Sequence, residues 1–188
     1  MSELDEAWAL ALAEAEDRAR AAGRADLTEY LSLRNANNLT RKIGKGWLLD
    51  TFAALAAEAN SAGAAIEISR EDGHRFKVEN SSMVGSSVSL KKAVRMLLIE
   101  VGWPRTPRDG VIGGGGLALA NIRHFGLKSA NQKLRLLINP AGLPSWVVEN
   151  KIDGHSEIHE PDLRNHIRIL LATREFNART PEELSTDL

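Results

Sequence analysis

The apolar periodicity of the chain changes once, at Ser61-Ala62-Gly63, and that change limits what the chain can fold into. Before it, apolar residues recur every three or four positions, the spacing that lines one face of an α-helix. Leu4, Trp8, Ala11 or Leu12, Ala15 and Ala19 mark a first helix over residues 2–22, with Ser2 as cap and Gly23 as stop. Leu27, Tyr30, Leu31 and Arg34 mark a second from Asp26 to about Ile43, broken by Gly44, with a kink expected at Asn35, Asn37 and Asn38. Trp47, Leu48, Thr51, Phe52, Leu55 and Ala59 mark a third over 45–61. The first helix, rich in alanine, is expected to pack on the sheet or on a second copy of the chain, which makes a homodimer possible.

After Gly63 the period becomes two, as expected of strands with one buried face. Residues 64–69 and 75–79 alternate around Arg70-Glu71-Asp72-Gly73-His74, which reads as an antiparallel hairpin turning at Asp-Gly. Residues 83–103 satisfy both periods; the alternating neighbours favour strands over 83–90 and 95–103, joined near Lys91-Lys92. Further strands are expected over 117–124, 133–138 and 145–149, separated by Gly126, by Asn139-Pro140-Ala141-Gly142 and by Asp153-Gly154. Glu160-Pro161-Asp162 opens a last helix to about Thr173.

The expected fold is therefore α+β in one domain over residues 1–188. A helical part (1–62) precedes a meander-like antiparallel sheet of about five to seven strands (63–150) and a C-terminal helix (160–174), with a polar, fraying tail over 177–188.

Composition narrows the function classes. With no cysteine, thiolate catalysis, disulfide scaffolds and Cys-ligated metals are excluded, and a reducing cytoplasm fits. The acidic start lacks the basic region of a secretory signal, and no apolar run reaches membrane-spanning length. The charge is segregated: residues 1–20 balance at −4, 105–135 at +5 and 149–162 at −4.

Glu100 to Gly126 gathers the conformationally special residues. Gly113 to Gly116 lacks the spacing of either phosphate-binding glycine signature and reads as a turn. Trp103-Pro104-Arg105-Thr106-Pro107-Arg108 is stiffened by its prolines and presents guanidinium groups beside an indole, which suits carboxylates, phosphates or a stacked base. The ligand-binding candidates are Trp103, Arg105, Arg108, Arg123 and His124; Glu100, Asp109 and His124 are the candidates for acid–base chemistry. His155 and His159 have a metal-ligand spacing but no third ligand and a doubtful helix, so no metal and no cofactor is expected.

Hydrolase and metalloprotease signatures are missing. The leading expectation is a non-enzymatic module that binds a small anionic ligand or a protein partner through the 100–126 region. One alternative is an enzyme or nucleotide-handling protein acting on an anionic substrate. The other is weak nucleic-acid binding through 105–135, disfavoured by near-neutral net charge and few aromatics.

Overall fold

The computed structural model describes residues 3–78, 80–150 and 154–172, and the expectation for the 177–188 tail lies outside them. Two helices, α1 (Glu3–Ala21) and α2 (Ala25–Ser61), lead into seven strands. These are β1 (Glu67–Val78), β2 (Ser81–Lys92), β3 (Arg95–Trp103), β4 (Ala118–His124), β5 (Gln132–Ile138), β6 (Pro144–Asn150) and β7 (Gly154–Glu157). Helix α3 (Glu160–Leu171) closes the described chain. The strands form one antiparallel sheet in chain order, a seven-stranded meander. The α+β class and the meander are thus as the periodicity implies, and 83–103 forms strands, 83–92 and 95–103, joined by a turn at Ala93-Val94. No helix among the described residues is long and apolar enough to cross a membrane.

One face of the sheet carries the core. Val88, Leu90, Leu97, Ile99, Val101, Ala120, Ile122, Leu134, Leu136 and Trp146 meet Leu48, Leu49, Phe52, Leu55 and Ala56 of α2, and Leu163, Ile167 and Leu170 of α3. Because side chains alternate along a strand, register assigns the opposite face as well: Glu71, Ser87, Glu100, Asn121 and Lys133 stand opposite one another across five strands.

Three local expectations are corrected. Gly44 does not break the helix: α2 runs 37 residues without interruption through the asparagine cluster, so two helices, not three, precede the sheet. Glycine is needed there for proximity, since a Cβ on Gly44 would sit 2.6 Å from a Leu136 methyl while Trp146 Nε1 donates to its carbonyl at 2.9 Å. Asp72-Gly73 is not a hairpin turn. Residues 67–78 are a single strand, and Gly73, at φ +75°, sits in a bulge between Asp72 and His74. Finally, among the described residues α1 packs on α2, through Leu12, Ala15, Ala19 and Leu31, rather than on the sheet.

The connections follow their sequence signals. Asn60 pins the turn after α2, with Nδ2 donating to Ile66 O and Oδ1 accepting from Ile66 N. Asn139 Oδ1 accepts the Ala141 and Leu143 amides, and Gly142 supplies a positive φ of 78°. The Asp162 carboxylate accepts the His159 amide at 2.9 Å at the start of α3. At the other end of that helix, Arg95 donates to the carbonyls of Ile169, Leu170 and Ala172.

Candidate functional site

The residues singled out in the sequence fall into three places, and strand parity decides which. Trp103 is three residues from Glu100, and His124 is one from Arg123; an odd separation within a strand sends side chains to opposite faces.

On the helix-facing side, at the end of β3, Trp103 is 7 % exposed and packs into the core. The guanidinium of Arg105 lies over its ring, 4.3 Å from the centroid, and that of Arg41, from α2, lies 5.8 Å away. Arg41 is held in place: Nε donates to Leu117 O at 2.8 Å and Nη1 to Asn38 Oδ1 at 3.1 Å. Burial lowers its pKa, and the positive charges of Arg105 and Arg34 lower it further. Arg34, Asn38 and Arg41 follow one another at i, i+4 and i+7, one stripe of α2, which is the signal that sequence reading missed.

On the opposite face Glu100 is 2 % exposed, in the middle of the polar row. His74 Nε2 is 2.7 Å from one carboxylate oxygen, and Arg123 Nη2 is 2.9 Å from the other. His74 Nδ1 reaches Glu71 at 3.2 Å, completing a carboxylate–imidazole–carboxylate–guanidinium chain. A buried carboxylate is tolerated when it is paired in this way. Beside Arg123 lies a shallow hollow of about 240 Å³, lined by Asn121, Arg123, Asn131 and Lys133 among others.

His124 returns to the helix-facing side. Its Nε2 lies 2.9 Å from His166 Nδ1, and His166 Nε2 lies 3.0 Å from Gln132 Oε1. Gln132 as acceptor fixes a proton on His166 Nε2, so His166 Nδ1 accepts from His124 Nε2–H and the chain is neutral. Burial lowers both pKa values, that of His166 to about 4 with help from His124 and against the opposing charge of Asp162. This pair ties α3 to the sheet.

The loop between β3 and β4 places the remaining residues. Asp109 Oδ2 accepts both the amide and the hydroxyl of Thr106, a loop staple whose hydrogen bonds hold its pKa low. Arg108 stands exposed beside it. Gly113 to Gly116 form a tight turn, with Gly114 and Gly115 at positive φ. A Cβ on Gly114 would lie 2.2 Å from Arg135 Nη1, so the turn closes over that side chain. Ile112 of the same loop packs, together with Leu119, against Phe76, Val78 and Met83 on the far face.

Thus Trp103 and Arg105 come together with Arg41, which the sequence reading missed, while Glu100 and Arg123 pair across the sheet from them. Glu100, Asp109, Arg123 and His124 do not converge on one pocket. His155 lies in β7 and His159 precedes α3, so they do not share a helix. Among the described residues no group of three or more His, Asp or Glu is placed to hold a metal ion. Comparison with protein families, curated proteins and solved structures gave no match, so the functional reading rests on this geometry.

Proposed function

We propose that the protein is a non-enzymatic cytoplasmic interaction module that grips an anionic group, a carboxylate or phosphate carried by a small ligand or a protein partner, where α2 meets the end of β3. The observation that carries this reading is the meeting of Arg41 and Arg105 at the Trp103 ring, with Arg34 two turns earlier on the same stripe of α2 and close enough to add, after burial and Arg105, to the lowering of the Arg41 pKa. Like charges held together by a rigid framework are relieved by an anion, and guanidinium forks match carboxylate and phosphate geometry. A small anion is favoured over a nucleic-acid base because the Trp103 ring is buried and already faced by Arg105. The wide separation of the acid–base candidates argues for binding over catalysis.

Thermal-shift titration with phosphate, citrate and nucleotides tests this. A ligand at a hundred times its Kd should stabilise the protein by about 2.7 kcal/mol, and Arg105→Gln, an exposed change, should weaken binding about tenfold. No shift with any anion, or an unchanged shift in Arg105→Gln, rejects the reading. The module is further taken to act as a homodimer, through a surface independent of the anion site.

A further inference from the structure

We infer that the outward face of α2 is a self-association surface, and that its occupant is the same face of a second copy running antiparallel. Ala25, Glu29, Ser32, Ala36, Leu39, Ile43 and Gly46 recur at alternating spacings of four and three, with Trp47 beside the last. That is the seam spacing of paired helices. The seam points away from the sheet: Leu33, Leu39, Ile43 and Trp47 are between 40 and 61 % exposed, whereas Leu48, Leu49 and Phe52 of the same helix are buried.

Size is distributed unevenly along this seam. Its first half carries Ala25, Ser32 and Ala36 and forms, with Glu16 and Arg20 of α1, a groove of about 790 Å³ that Leu33 also lines. Its second half carries Leu39, Ile43 and Trp47, a ridge. Groove and ridge lie on one side of one helix, in series. A two-fold axis at Ala36 sets each ridge into the other copy's groove, so one operation fills both. Any other single occupant would fill the groove or cover the ridge with a surface of its own, whereas the second copy supplies both shapes at once.

Charge agrees with the antiparallel direction. Glu29 is the one charged residue of the seam. A parallel pair would set it against the Glu29 of the second copy, which is unfavourable, whereas the two-fold at Ala36 places it at the level of Ile43. The arm itself calls for cover: α1 and the first half of α2 bury Leu12, Ala19 and Leu31 between them, and leave Leu10, Tyr30, Leu33 and Leu39 exposed.

The absence of cysteine makes the test clean. Sedimentation of the full chain at concentrations up to about 100 µM, well above a micromolar Kd, should show a dimer. Leu39→Glu/Ile43→Glu, at exposed positions, should be a monomer with an unchanged far-ultraviolet spectrum. Ala36→Cys, on the axis, should oxidise to a covalent dimer about tenfold faster than Val94→Cys, which is 99 % exposed in the β2–β3 turn away from the seam. A wild-type monomer at the highest concentration overturns the proposal and leaves the face to a different protein. A double variant that remains dimeric, or equal oxidation of the two cysteine variants, overturns the surface and the antiparallel register respectively.

Discussion

The two halves of α2 belong to one uninterrupted helix and live in different environments. Residues 41–61 lie on the sheet, where Leu48, Leu49, Phe52 and Ala56 are fully buried and Lys45 reaches Ser86, which in turn bonds Asp72. Residues 25–40, about 24 Å of helix, touch α1 through a cluster of four side chains, two of them alanines. Backbone hydrogen bonding is the same in both halves, so the difference is one of apolar burial. It teaches that continuity of a helix does not imply uniform stability: the half on the sheet shares the global unfolding free energy, and the arm can open on its own.

The largest effect should come from the sheet half. Phe52→Ala removes a fully buried ring beside His166 and should cost about 3–5 kcal/mol in urea unfolding, with sheet and helix signals lost together. A smaller loss with separate transitions would break the comparison.

Acidification should come next. The folded pKa values of His124 and His166 are depressed, so the stability they contribute is complete above the ordinary histidine pKa near 6.5. It is lost as pH falls from there toward about 4, because the unfolded chain takes up protons that the folded one resists. Roughly 2–3 kcal/mol should disappear across that window. His166→Gln should flatten the slope, and an equally steep slope in that variant would assign the pH dependence elsewhere.

Leu31→Ala, in the arm, should cost about 2 kcal/mol or less, since two packed helices can settle around the gap. Hydrogen exchange should then quicken in α1 while the strands keep their protection; faster exchange in the strands would show that arm and sheet unfold as one. Leu10→Ser, at an exposed position of α1 off the α2 seam, should change stability by no more than about 0.5 kcal/mol.

Much of this architecture was legible in the sequence, because apolar period reports which face of an element is covered. The switch at Gly63, the turn at Asn139 to Gly142 and the helix opening at Glu160-Pro161-Asp162 all lie where their chemistry demands. Glycine was the misleading residue. Gly73 does adopt the left-handed conformation that an Asp-Gly turn requires, but spends it on a bulge within a twelve-residue strand. Gly44 reads as a helix stop and is instead the point of closest approach to Leu136. Local propensity cannot separate these uses, since each depends on what the neighbouring strand does.

The site was legible only in fragments. Trp103 and Arg105 were found through their stiff loop, but their partner Arg41 is more than sixty residues away in α2 and only folding unites them. Alternation already divided Arg123 from His124, and Glu100 from Trp103, between the two faces; applied to the site, it would have dissolved the single-pocket expectation. His74 and His166 carry no local signal, because each gains its meaning from a partner brought by register or by α3.

The chain-order meander has a consequence for how the molecule comes into being. Each strand's neighbour is the strand made just before it, so as the polypeptide is synthesised every new strand finds its template already waiting. Contacts between sequence neighbours close with little loop entropy and favour rapid assembly. Helix α2 is the exception: its stripe can settle on β2 and β3 as they appear, but the closure at Gly44 waits until β5 and β6 bring Leu136 and Trp146. Until then the Gly44 end of the stripe stays uncovered in the nascent chain, and transiently exposed apolar surface of this kind is where a chain of this topology is most open to aggregation.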